Sequence, residues 1–271
     1  MRQIEIDELK KLQLDILKKV DSFCRSNNIK YTLFYGTLIG VVRHKGYIPW
    51  DDDIDIAMTR PNYEKFLQSF NGIYNELEVF APELDWNYYA PFANVCDNRT
   101  VLLEGENGHH GMEIGVKIDI FPIDGVSPDI DEYYNIKRKI AKLWAVLFNK
   151  RVVLREVWRK NKTACVKSIL RKILLLKTNY AKAQKSIRKL VTSYSFENSE
   201  YVENLTFPLS YDARCCKKAF EEYIDMPFEN ITVSIIKGYD EYLTKIYGDY
   251  MQLPPVEQQI PQHGFTAYWK E

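Results

Sequence analysis

The chain has 271 residues, enough for one large domain or a core with a sizeable insertion. Hydrophobic residues make up 46% and charged residues 27%, as in an ordinary globular protein rather than a disordered one, and no apolar run reaches the length a bilayer demands. Thirty-seven basic and thirty-seven acidic side chains cancel, yet eighteen of the basic ones fall between Lys137 and Lys189, where Glu156 is the lone acid. So uneven a distribution points to a polyanion or an anionic membrane as a neighbour. The five cysteines form no CxxC pair and the N-terminus lacks an apolar signal core, so a cytoplasmic protein is expected.

In chain order, Leu9, Leu12, Ile16, Leu17, Val20 and Phe23 recur at helical spacing and predict an amphipathic helix from about Gln3 to Asn28. "YTLFYGTLIGVVRHKG" reads as a strand entering a Gly-Thr turn, then a short apolar helix, then a basic loop. "DIDIAM" alternates, so Ile54, Ile56 and Met58 face a core while Asp53 and Asp55 share the other side. "RPNYEKFLQSF" is a helix with Pro61 in its first turn. "GVKIDIFPID" is a second alternating strand, ended by Pro122, with Lys117 and Asp119 opposite its apolar row. Residues 131–195 are basic, helical and poor in Gly and Pro. The expected organisation is a catalytic core over 1–130, a basic helical insertion over 131–195, and a C-terminal part, 196–271, completing the core.

Asp51, Asp52, Asp53 and Asp55 fall within five positions. Like charges so close resist burial unless a cation neutralises them. A solvated turn explains neither the alternating isoleucines nor the flanking Trp50. A calcium loop of EF-hand type needs Gly sixth and Glu twelfth; counted from Asp51, those places hold Ile56 and Asn62. The Asp-x-Asp of sugar-nucleotide glycosyltransferases also fits, on little sequence. The combination of Gly36-Thr37, then Asp53 and Asp55 on one strand, then Asp119 on a later strand resembles the nucleotidyltransferase fold shared with polymerase beta. That resemblance implies an α/β (α+β) mixed sheet with flanking helices, a turn packed on phosphate, and carboxylates holding Mg²⁺ or Mn²⁺. The loop from Gly36 to Asp53 is longer than that signature usually has.

A longer resemblance covers more of the chain. "YGTLIGVVRHKGYIPWDDDIDIAM", "VKIDIFPIDGV", and "YLTKIYGDYMQLPP" with the later His263 resemble three blocks of the LicD family. The resemblance implies transfer of phosphocholine, or a related phospho-alcohol, from a CDP-alcohol donor such as CDP-choline to a sugar hydroxyl of a cell-surface glycan. Teichoic acid or lipopolysaccharide precursors, lipid-linked at the cytoplasmic leaflet, are the acceptors it suggests. The alternatives are a nucleotidyltransferase acting on a small molecule or sugar, and a non-catalytic relative that binds polyanions.

Within this reading Asp53, Asp55 and Asp119 are the catalytic acids. Asp51, Asp53, Asp55 and Asp119 form the metal set, with Asp119 as either ligand or general base and Asp52 facing away. Gly36 and Thr37 cradle the diphosphate, and Arg43, His44 and Lys45 form a basic loop able to clamp donor phosphates. Trp50 stacks on the cytosine or packs the loop. A quaternary ammonium needs aromatic faces, and "DWNYYAPF" supplies Trp86, Tyr88, Tyr89 and Phe92 together. His109 and His110 sit in a surface loop, and His263 approaches the site. Residues 137–189 offer an anionic membrane a cationic face, with Leu174–Leu176 dipping into it. That places the protein on the inner face of the plasma membrane. No nucleic-acid motif is present, so no nucleic-acid partner is expected.

Overall fold

The computed structural model describes residues 1–104, 114–151, 169, 179–261 and 265–270. After β1 (Gln3–Ile4), α1 (Ile6–Ser26) buries the six apolar residues named from their spacing, with Leu14 and Cys24 beside them. Next come β2 (Thr32–Leu33) and the short α2 (Tyr35–Ile39), which runs on as a π-helical turn over Gly40–His44. Gly40 is required there, because a Cβ would stand 2.5 Å from the Gly46 carbonyl oxygen. Arg43 and His44 are therefore helical, and only Lys45, with a left-handed φ of 58°, leaves the helix.

β3 (Asp55–Thr59) precedes α3 (Arg60–Ser69), which carries Pro61 in its first turn as expected. β4 (Leu77–Phe80), β5 (Ala93–Asp97) and β6 (Thr100–Glu104) follow, then the long β7 (Lys117–Val126). α4 (Ile130–Arg151) and α5 (Tyr180–Val191) come next. The chain ends with β8 (Tyr201–Glu203), β9 (Cys215–Cys216), the hairpin β10 (Tyr223–Phe228) and β11 (Ile231–Ile236), α6 (Tyr239–Tyr247) and β12 (Phe265–Trp269).

The main sheet has the order β2-β3-β7-β5-β4, and β8 and β9 extend it from the far half of β7. β3 and β7 are parallel and the other pairs antiparallel, so the sheet is mixed. A smaller sheet, β1-β12-β6, joins the two ends of the chain. Pro122 does not end β7, contrary to the expectation from sequence. The β5 ladder stops at Ile120 and the β8 ladder starts at Asp124, so the N–H that proline lacks falls where no partner strand needs it.

One core cluster lies against the main sheet, with α1, α3 and the hairpin. A second forms where α4 packs on α5, Tyr133, Ile136 and Ile140 meeting Ala183, Ile187 and Val191. Two cations of the basic segment are structural. Lys137, 4% exposed, donates to Glu203 Oε1 at 2.9 Å, and Arg188 pairs with Glu64 and Glu83. Arg138, Lys139, Lys142, Lys182 and Lys189 stay exposed. Leu174–Leu176, His109, His110 and His263 lie outside the described residues. Among the described residues no helix is long and apolar enough to cross a membrane.

Candidate active site

Register brings the acids together. Asp55 on β3 stands opposite Asp119 on β7, and Asn94 on β5 stands opposite Asp119 from the other side. Residues paired across neighbouring strands share a face. Ile54, Ile56 and Met58 are buried, as alternation requires. The Asp119 N–H donates to the Ile54 carbonyl at 3.0 Å, and the Asp55 N–H donates to Thr37 Oγ1 at 2.9 Å.

These side chains border a cavity of about 710 Å³. Gly36, Asp51, Asp53, Asp55, Lys117 and Asp119 line one part of it. A Cβ on Gly36 would come 3.1 Å from Asp51 Oδ2, so glycine lets that carboxylate approach. Asp51, Asp52 and Asp53 each present a carboxylate oxygen within 4.8 Å of the others. Asp52 is 3% exposed and does not line the cavity.

Burial raises the Asp55 carboxyl well above the usual carboxylate range, and the negative charges of Asp53, Asp119 and Asp51 push it further; Lys117 opposes them. Lys117 Nζ donates to Asp119 Oδ1 at 2.7 Å, and Asn94 Nδ2 donates to the same oxygen. The Tyr88 hydroxyl donates to Asn94 Oδ1, which turns the amide nitrogen toward Asp119. Lys117 is the one cation among the described residues lining the cavity, set against four carboxylates. Such a hard oxygen donor set suits Mg²⁺ or Mn²⁺.

Several side chains named from the sequence point elsewhere. Thr37 is 3% exposed, and its hydroxyl holds the start of β3 rather than lining the cavity. Arg43 donates to the Tyr250 carbonyl at 2.8 Å and the Gln252 carbonyl at 3.2 Å, so the helix that replaces the basic loop commits it to the C-terminal backbone. His44 accepts from Arg43 Nε and lies beside Trp50, which packs on the core; Lys45 is exposed. None of the four lines the cavity. Trp86 sits under Lys185, and Tyr88 is buried behind the row of acids. From "DWNYYAPF" it is Tyr89, Ala90 and Phe92 that reach the cavity. The sequence placed Lys117 on the same strand face as Asp119 without giving it a role. Asn94, Trp144, Phe207 and Tyr211 had no local signal, because register and distant segments place them; Tyr247 lies in the third block quoted from the sequence, where it was given no role.

The sequence matches the family model described as LicD/FKTN/FKRP, nucleotidyltransferase domain, over residues 28–124, the span that holds Gly36 and all the acids. It is 32% identical to the lipopolysaccharide cholinephosphotransferase LicD of Haemophilus influenzae over 280 residues, 99% of each chain. The chain belongs to the LicD family. An uncharacterised Rickettsia typhi protein is 41% identical over 69 residues, 25% of this chain and 22% of that one. The fold is thus nucleotidyltransferase-like. The first LicD block supplies Gly36, Asp51, Asp53 and Asp55, the second Lys117 and Asp119, and the third Ile246 and Tyr247, all lining the cavity.

Proposed function

We propose that this LicD-family chain transfers phosphocholine, or a related phospho-alcohol, from a CDP-alcohol donor to a sugar hydroxyl of a cell-surface glycan. The observation that carries this reading is the meeting of four carboxylates and an aromatic wall in one cavity. The full-length match to a lipopolysaccharide cholinephosphotransferase supports it.

Asp51, Asp53 and Asp55 would hold Mg²⁺ or Mn²⁺, which supplies neutralisation of the donor diphosphate and of charge developing at phosphorus. Gly36 leaves backbone open to a phosphate oxygen. The acceptor oxygen forms a bond to the choline-bearing phosphorus, the bridging P–O bond breaks, and CMP leaves with the electron pair. Asp119 takes the hydroxyl proton. A loose transition state asks little basicity of that group and much positioning. Lys117 and Asn94 both donate to Asp119 Oδ1, so Oδ2 is the oxygen to meet the hydroxyl.

Asn94→Ala is expected to lower kcat about tenfold with the donor KM unchanged, the scale of one hydrogen bond to a charged group. Tyr88→Phe, which frees the amide to flip, should give a smaller loss of the same kind. Steady-state kinetics on both variants checks this; a rise in KM alone would remove Asn94 from the orientation of Asp119.

The exposed cations of α4 and α5 (Arg138, Lys139, Lys142, Lys182 and Lys189) support a seat on an anionic membrane bearing the acceptor. Calorimetric titration with CDP-choline, with and without Mg²⁺, tests the donor. Metal-dependent binding is expected, and absence of binding in both conditions would refute the reading.

A further inference from the structure

The acids share their cavity with aromatic side chains from three distant segments. Trp144 comes from α4, Phe207 and Tyr211 from the loop after β8, and Tyr247 from the end of α6. Phe207, Tyr211 and Tyr247 are 46%, 41% and 43% exposed, an unusual state for rings so large. Trp144 and Phe207 meet edge to face, with centroids 5.7 Å apart.

Two of the wall's polar handles are engaged with backbone. Trp144 Nε1 donates to the Thr206 carbonyl, and the Tyr211 hydroxyl donates to the Ile246 carbonyl at 3.1 Å. Lys137 fixes the loop by donating to the Tyr211 carbonyl at 2.8 Å while its charge is paired with Glu203. Trp144, Phe207 and Tyr211 therefore offer mainly π faces, while the Tyr247 hydroxyl, its pKa raised by burial and by the charges of Asp55, Asp51 and Asp53, lies toward the carboxylates. A nucleobase needs hydrogen-bonding partners along its edge, whereas a trimethylated ammonium neither donates nor accepts and binds aromatic faces.

We propose that Trp144, Phe207, Tyr211 and Tyr247 form a binding site for a quaternary ammonium group in this cavity, which fixes choline as the preferred alcohol. This rests on the CDP-alcohol reading above and adds the residues that select among donors. The site differs from the "DWNYYAPF" cluster, whose Trp86 and Tyr88 do not line the cavity.

The test is calorimetric titration of the full chain with CDP-choline and with CDP-ethanolamine in Mg²⁺. The primary ammonium of CDP-ethanolamine gains less from bare rings. Phe207→Leu and Tyr247→Leu change half-exposed positions and should leave the fold intact. Each is expected to weaken CDP-choline about tenfold, the scale of one cation–π contact, with CDP-ethanolamine changed by less than about twofold. Trp144→Leu should behave likewise and Trp144→Phe should restore most of the affinity. Equal losses for both donors, or no loss, in proteins whose wild type binds CDP-choline would overturn the ammonium site alone. A wild type that binds neither donor would overturn the donor reading, and the site with it.

Discussion

Asp55→Asn is expected to lower kcat by about a thousandfold, on the scale of losing a charge-bearing group from a phosphoryl-transfer site, and at the same time to raise the thermal midpoint. Asp55 is held among Asp51, Asp53 and Asp119, and its carboxyl is pushed well up by burial first and by those charges second. A carboxyl whose folded value lies above its unfolded value is best tolerated when protonated. Its favourable contribution is complete below the ordinary carboxylate range and is lost as pH rises toward the raised value. At neutral pH the wild type therefore carries a cost that asparagine removes. Each recovered kcal/mol is worth roughly 2–4 °C in a chain of this size. The gap between variant and wild-type midpoints should widen from acid toward neutral pH and narrow when Mg²⁺ is added to the wild type. Scanning calorimetry beside a turnover assay measures both halves. A variant that is inactive and also destabilised would mean that Asp55 serves the fold rather than the chemistry.

Asp124→Ala has the opposite signature. Asp124 closes the "FPID" of the second LicD block and looks like one more acid of the site, but it is 1% exposed and does not line the cavity. Its two oxygens accept from Arg60 Nε and Nη2, both at 2.6 Å, and Arg60 also reaches Glu83 at 3.3 Å. Removing one partner leaves a buried guanidinium poorly compensated, at a cost of about 3–5 kcal/mol. The double variant Arg60→Met/Asp124→Leu should lose clearly less, since no charge is left buried. Urea denaturation of the three proteins decides it. A stable Asp124→Ala protein that has lost turnover would move Asp124 into the site.

These two residues show where the sequence was legible. Alternation in "DIDIAM" and "VKIDI" is a local property of strands, so the buried isoleucines and the carboxylates opposite them were readable directly. That Asp55 stands beside Asp119 depends on parallel register between strands more than 60 positions apart, and the resemblance to known families stood in for it. Asn94 enters the same row through β5 and could not be seen. The stretch Arg43–Lys45, expected to be a loop able to clamp donor phosphates, is helical through His44. Arg43 instead answers carbonyls at Tyr250 and Gln252, which no local pattern announces. Of the aromatics in "DWNYYAPF", Tyr89 and Phe92 reach the cavity while Trp86 and Tyr88 do not, and Trp144, Phe207 and Tyr247 come to it from distant segments.

The most direct measurement is to incubate the purified chain with CDP-choline, Mg²⁺ and a lipopolysaccharide or teichoic acid acceptor and to analyse both products. The expected result is CMP released in step with phosphocholine appearing on the glycan. Pyrophosphate release with nucleotide left on the acceptor, or no transfer despite metal-dependent donor binding, would contradict it.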